Sequence, residues 1–467
     1  MAHYEQIIKG KLPLPNGTIA DNAVIAINNE KIVAIYDGNQ DVTADSILDT
    51  NGSWILPGGI DAHVHCYSEP REGVKGATRS AAAGGITTII EMPYDADEPV
   101  WSAEKFNKKL DLIQNEAHVD VAVLATIRPG GDLSVIHELT EMGACGFKMS
   151  TFNTHSYRFP RIHEGEMVAA FKELKEAGRA VGLHAENDDI VRYYSKLVED
   201  KDQKDPMIHC EARPAVAEAA AVATALELAK WTGVHLHFHH TTIPRAIELV
   251  KRYQEEGVKV SVETCIQYLT FTEENMKTFG AKAKINPPLR QKEDMEALWE
   301  MCQTGDISFV ASDHAPWQLD RKQSEVILEN ASGSPGVETL FPVLFSEGVM
   351  EGRLSIFDFI RLMSTNPARV YGLSDQKGSI EVGKDADIVI IDPNQSFLIK
   401  NENQHSFAGW SLYDRYEAKG KITHSFVRGK LVYDGENVVS TQGQGRFVRA
   451  THDSLLPIKG NKGTVQV

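Results

Sequence analysis

Gly59-Ile60-Asp61-Ala62-His63-Val64-His65 is a short apolar run that ends in two histidines, and it is the first of eight such runs. The others are Ile86 to Met92, Val119 to Ile127, Cys145 to Met149, Ala180 to Ala185, Val234 to His240, Lys259 to Thr264 and Ile307 to Ser312. Helix-like stretches lie between them, such as Ala103 to Asn115, Gly165 to Ala177, Val216 to Trp231, Pro244 to Glu256 and Lys292 to Cys302. Strand-length apolar runs alternating with helical periodicity predict repeated βα units. Eight units in succession predict an α/β fold, a (β/α)8 barrel of the TIM type over residues 57–373, with its chemistry at the C-terminal strand ends.

Outside that region the pattern is β-rich. Residues 1–56 read as strands at Ile7-Ile8, Ala23 to Ile27 and Lys31 to Tyr36, separated by turn pairs such as Asn16-Gly17 and Asn28-Asn29. Residues 374–467 return to strands at Asp387 to Ile391 and Ser425 to Val432, followed by a tail. Neither flank can close a core alone. Because chain termini often lie close together, the two are expected to combine into one small β-sandwich beside the barrel.

Composition sets the class of partner. The 467 residues carry 65 acidic and 48 basic side chains, a formal charge of −17 that repels phosphate backbones and anionic lipid. Nucleic acid and membrane are therefore not expected as partners. The five cysteines, at 66, 145, 210, 265 and 302, form no CxxC pair, which argues against a disulfide framework or a thiolate zinc site. With no secretory pattern at the start and no apolar run near membrane-spanning length, a cytoplasmic protein is expected.

The strand ends carry the chemistry. Alternate strand residues share a face, so His63 and His65 project together. The fourth, fifth, sixth and eighth strands end in Phe147-Lys148, Leu183-His184, His237-Phe238-His239-His240 and Ser312-Asp313-His314. Nitrogen and oxygen donors from five strand ends make a site suited to Zn2+, Mn2+, Co2+ or Fe2+. Lys148 is the odd member, since an ammonium beside divalent cations would be repelled. A neutral Lys148 amine that takes up CO2 becomes a carbamate anion, whose two oxygens can bridge two metals. Parity along the sixth strand leaves open whether His240 or the pair His237 and His239 faces the site.

These residues resemble the amidohydrolase superfamily, and within it the cyclic amidohydrolases: allantoinase, hydantoinase, dihydropyrimidinase and dihydroorotase. The likeness runs through Pro57-Gly58-Gly59-Ile60-Asp61-Ala62-His63-Val64-His65, Gly146-Phe147-Lys148, His184-Ala185-Glu186-Asn187, Arg213-Pro214-Ala215, Asn286-Pro287-Pro288-Leu289-Arg290, Ser312-Asp313-His314-Ala315-Pro316 and Gly383-Lys384-Asp385-Ala386-Asp387. The resemblance implies two divalent metal ions per chain, Zn2+ first among them. His63, His65 and Asp313 would hold one, His184 and His240 the other, and carbamylated Lys148 both. A histidine followed by two small hydroxyl residues, here Thr241 and Thr242, is what selects His240. The implied reaction is opening of a cyclic amide by water activated between the metals, with Asp313 taking the proton and delivering it to the leaving nitrogen. Homotetramers are implied as well.

Within the family the substrate is divided among branches. Ser68-Glu69-Pro70, Ile90-Glu91-Met92-Pro93 and the stretch Trp410 to Val432 are similar to allantoinases, so allantoin to allantoate is the leading expectation. Gln267 in Cys265-Ile266-Gln267-Tyr268 and the ending Gly443-Gln444-Gly445-Arg446-Phe447 resemble the hydantoinase and dihydropyrimidinase branch, the alternative. Dihydroorotases place an arginine two residues after the second histidine, where this chain has Tyr67; only Asn286, a candidate substrate contact, and Gly336-Val337-Glu338-Thr339 look like that branch. A non-enzymatic alternative is a metal-free assembly protein related to dihydropyrimidinase, which would have lost ligands that this chain keeps. The loop Ser150 to Arg161, with Phe152, Asn153, Tyr157 and Arg158, sits where substrate selection is expected.

Overall fold

The structure is a computed structural model and describes residues 2–36, 38 and 40–460. Its strands run, in chain order, β1 (Ala2–Pro13), β2 (Ile19–Asn28), β3 (Lys31–Tyr36), β4 (Val42–Pro57), then β5 (Gly59–Val64), β6 (Ile86–Glu91), β7 (Asp120–Ala125), β8 (Gly146–Ser150), β9 (Ala180–His184), β10 (Leu236–Phe238), β11 (Val260–Cys265) and β12 (Phe309–Ala311). β13 (Ile388–Leu398), β14 (Glu417–Val427) and β15 (Lys430–Tyr433) follow.

β5 to β12 are neighbours in sequence order in one parallel eight-stranded sheet, the barrel that the alternating pattern predicts. The seam between first and last strands is drawn together by backbone hydrogen bonds just beyond them: His65 N–H donates to the His314 carbonyl at 2.9 Å, and His314 N–H to that of His63 at 3.2 Å. Every residue of β5, β6, β7, β8, β9 and β11 is buried, as expected when one face fills the barrel and the other packs under helices. Helices between the strands start and stop by local chemistry. Ser102 accepts from Lys105 N–H to cap Ala103–Glu116, Asn187 accepts from Ile190 N–H to cap Asp188–Leu197, and Gly233 (φ 76°) ends Ala215–Thr232 in the left-handed region.

The two flanks meet in a second sheet of order β15-β14-β13-β4-β1-β2-β3. β1 pairs with β4 in parallel and the remaining pairs are antiparallel. Ile8, Ile25, Ile32, Ile55, Ile388 and Phe426 share one apolar cluster, so the sheet curls around a common core. The layers expected of a sandwich are thus parts of one hydrogen-bonded sheet. The tail departs from it: Val448 N–H donates to Val121 O, Ser454 N–H to Gly178 O and Leu455 N–H to Arg369 O, carrying the chain across the N-terminal ends of the barrel strands.

Barrel and end sheet are clasped by a buried ion cluster. The Lys377 ammonium lies 2.6 Å from Asp120, 2.9 Å from Asp385 and 2.7 Å from Asp387, and Arg428 pairs with Asp120 as well. These three carboxylates could by spacing hold a metal, but the ammonium stands among them. Replacing Lys377 with methionine strands buried like charges, so Lys377→Met is expected to cost about 3–5 kcal/mol in urea unfolding. A loss below about 1 kcal/mol, the scale of an exposed pair, would show that the cluster is solvated.

Candidate metal centre

The C-terminal ends of the barrel strands bring the six sequence-selected side chains together. His63 Nε2 is 2.7 Å from Lys148 Nζ and 3.2 Å from Asp313 Oδ1, and His65 Nε2 is 3.5 Å from the same Asp313 oxygen. His184 Nδ1 lies 2.9 Å from His240 Nε2, and the His63 and His240 rings are 5.3 Å apart. His63, His65 and Asp313 form one compact group of ligand atoms, as alternate-residue parity and the seam between β5 and β12 require.

Backbone geometry singles out His240 and Asp313. Both have left-handed φ, 38° and 48°, which for non-glycine residues costs energy and is held only where the surroundings impose it. β10 and β12 end at Phe238 and Ala311, earlier than the apolar runs suggest, and the chain turns so that these two side chains point into the cluster. Lys148, conversely, lies inside β8 and not at its end. The ambiguity along the sixth strand is thereby resolved in space: His240 meets His184, whereas His237 bonds Ser261 and Glu263 and stacks on Phe309. His239 turns to Glu263, and Gly182 makes room for it, since a Cβ there would lie 1.9 Å from the His239 ring nitrogen.

Partners orient the imidazoles. Glu263 accepts from His63 Nδ1 at 2.5 Å, which aims Nε2 into the cluster; Ser68 Oγ is 3.2 Å from His65 Nδ1, and Glu186 holds His184 Nε2 at 2.7 Å. Such outer hydrogen bonds set the tautomer of a ligating histidine. Burial pushes the pKa of His63 and His240 well below the usual imidazole value and that of His65 to about 4, so their ring nitrogens keep lone pairs at neutral pH. Burial also pulls Lys148 down to about 8, toward the neutral amine. Burial would raise the Glu186 carboxyl, but Arg213 and His184 outweigh it and hold the pKa at about 2, which favours the charged form.

This donor set fits divalent metals. Neutral imidazole nitrogens face one another at contact distance, the His240 Nδ1 has no partner among the described residues, and Lys148 and Asp313 supply the anionic or anion-forming groups. A neighbouring group, His63, His239 and Glu263, could also reach a metal by spacing, but hydrogen bonds from both rings occupy the Glu263 carboxylate. The side chains of His65 and Asp313 are each 11% exposed while that of His63 is 0%, so access to the cluster runs past His65 and Asp313.

Sequence reasoning did not assign Glu263, Glu186 or Tyr94 a role. Glu263 had a signal in the sequence, a carboxylate inside the apolar strand Val260–Cys265. Tyr94 had none: it stacks on Phe159 at 3.7 Å between ring centres, with Lys148 Nζ 5.5 Å from the Phe159 ring, an aromatic wall that only folding assembles. Asn286 lies half-buried beyond β11, and its Oδ1 is buried without a partner; no hydrogen bond ties it to the histidine cluster among the described residues. Tyr67 turns outward, its hydroxyl donating to Glu116 at 3.4 Å.

Comparison with known proteins supplies the family. The amidohydrolase family model matches residues 54–432. An allantoinase from Rubrobacter xylanophilus is 34% identical over 96% of this chain and 98% of its own length, and an L-hydantoinase from Paenarthrobacter aurescens is 31% identical over 91% and 94%. Among solved structures, the L-hydantoinase (dihydropyrimidinase) from Arthrobacter aurescens superposes with a TM-score of 0.92 at 30% identity, covering 96% of this chain and all of that one. With a barrel, a strand-end histidine cluster and relatives of full length in agreement, the chain belongs to the amidohydrolase family.

Proposed function

We propose that this protein hydrolyses the ring amide of a cyclic ureide, allantoin to allantoate first, using two divalent metals held by His63, His65, Lys148, His184, His240 and Asp313. The observation that carries the reading is the convergence of these six side chains at one end of the barrel. Bound there, the metals, Zn2+ or else Mn2+, Co2+ or Fe2+, supply Lewis acidity and lower the pKa of water toward neutrality. Lys148 would help hold both metals as a carbamate: its neutral amine attacks the carbon of CO2, an N–C bond forms, a nitrogen proton leaves to water and a carbamate anion remains. Asp313, on the accessible side of the cluster, accepts the proton of the attacking water and passes it to the ring nitrogen, which cannot depart as an anion. Asn286 is proposed as a substrate contact because its Oδ1 lacks a partner among the described residues.

The allantoinase relatives support allantoin; the L-hydantoinase relative and structural neighbour, together with Gln267, support hydantoin or dihydropyrimidine as the second reading. An assembly protein without metals is disfavoured, since all six positions are present and meet in space. The reading places catalysis in the barrel of residues 57–373, carried by segments 1–56 and 374–467, in a cytoplasmic homotetramer acting in purine catabolism. No helix among the described residues is long and apolar enough to cross a membrane, and no role for nucleic acid is proposed for a chain of charge −17.

Steady-state assays of the metal-loaded enzyme test it. The expected order of kcat/KM is allantoin above hydantoin and dihydrouracil, with dihydroorotate last, because Tyr67 faces Glu116 and offers no cation to a carboxylate fixed directly on the ring. Preference for hydantoin or dihydrouracil selects the second reading. Preference for dihydroorotate overturns both.

A further inference from the structure

Most guanidinium groups on the loops around the metal centre have a carboxylate partner. Arg71 pairs with Glu69, Arg161 with Glu164, Arg213 with Glu186 and Arg290 with Glu218. Arg158 has none among the described residues. Its Nη1 donates a long hydrogen bond, 3.4 Å, to the Ser68 carbonyl, and its Nε is buried without a partner. Burial disfavours the guanidinium cation; Arg321, stacked on Trp317, adds a second positive charge nearby, and the more distant Asp95 carboxylate only partly offsets them. A half-buried cation with open donors is costly unless an acceptor completes it.

Its position is defined on two sides. Ser68, which it touches, places its hydroxyl 3.2 Å from His65 Nδ1 and donates to the Tyr94 carbonyl at 3.3 Å. The next residue, Phe159, stacks on Tyr94 and lies 5.8 Å from the His184 ring. A tight backbone pair between His155 and Phe159 holds the turn, and Tyr157 leaves it outward to pack against Trp101. Arg158 is therefore held beside the accessible His65 edge of the centre, with no carboxylate in ion-pair contact among the described residues.

We propose that Arg158 is the specificity-determining residue that holds the exocyclic arm of the ring substrate through the arm's acceptor oxygen, which in allantoin is the ureido carbonyl. The inference rests on the ring-amide reading above. A guanidinium presents several N–H donors in a fixed plane and so can take a carbonyl or carboxylate oxygen on a flexible arm while the ring amide meets the metals.

The test compares the parent enzyme with Arg158→Met and Arg158→Lys on three rings: hydantoin, which has no arm; allantoin; and hydantoin-5-acetic acid, whose arm ends in a carboxylate. In Arg158→Met the ratio of kcat/KM for allantoin over hydantoin is expected to fall about 10- to 100-fold, the scale of one hydrogen bond to a charged group, chiefly through KM. Arg158→Lys is expected to recover part of the selectivity for the carboxylate arm and less of that for the ureido arm. Equal losses on hydantoin and allantoin, or an unchanged ratio, would overturn the assignment and leave Arg158 a structural residue. If the parent opens hydantoin but not allantoin, the allantoin reading fails by itself, and the ratio of hydantoin-5-acetic acid over hydantoin decides the role of Arg158 in the same way. A parent without preference for either armed ring, or without activity on all three, overturns the proposal.

Discussion

Lys148→Ala is expected to lose both turnover and metal. In the parent, purified with divalent metal and bicarbonate, elemental analysis should find close to two metals per chain; in the alanine variant it should find one or none. The side chain is 1% exposed and sits 2.7 Å from His63 Nε2, so its removal opens a gap in the middle of the ligand set and not at its edge. The loss of activity should exceed about 100-fold, beyond the 10- to 100-fold typical of removing an outer partner of a metal ligand. Short carboxylic acids that fit the vacated space should restore part of the activity, since a carboxylate replaces the carbamate's two oxygens. Full metal content with full turnover in Lys148→Ala would end the carbamate proposal.

Asp313→Asn separates ligation from proton transfer. Asparagine keeps the size and one oxygen, and it tolerates the left-handed φ of 48° at this position, so the fold and some of the metal should remain. It cannot carry a proton from water to the ring nitrogen. General acid–base catalysis is typically worth about 10²–10⁴-fold, and weakened ligation adds to that, so kcat is expected to drop by several orders of magnitude. If the variant, saturated with metal, stays within about tenfold of the parent, another residue moves the proton. The two variants also differ in kind: excess metal should help Asp313→Asn little, because its defect is chemical.

Where the sequence could be read and where it could not follows from which interactions are local. The apolar runs of β5 to β9 and β11 are buried on both faces, so burial forces each residue to be apolar or specifically paired, and the pattern is legible without knowing the neighbours. Parity along β5 likewise placed His63 and His65 on one face, because alternation is a property of the extended chain itself. Along the sixth strand it left the choice open. There the chain leaves the extended conformation after Phe238, and a residue with φ 38° points where no alternation rule can reach.

The amino-acid sequence by itself determined the barrel, the pooling of both ends in a second sheet and the types of donor offered near the strand ends, since each depends on burial period or on residue type within a few positions. The family pattern at Thr241-Thr242 had selected His240, and the tertiary structure sets it against His184; only the tertiary structure decided that Glu263 aims His63, that Tyr94 and Phe159 wall the Lys148 side, and that Arg158 has no carboxylate partner among the described residues. Those contacts join residues as far apart in the chain as His63 and Glu263, and their energies depend on distance and shared burial, which exist only once the barrel has closed.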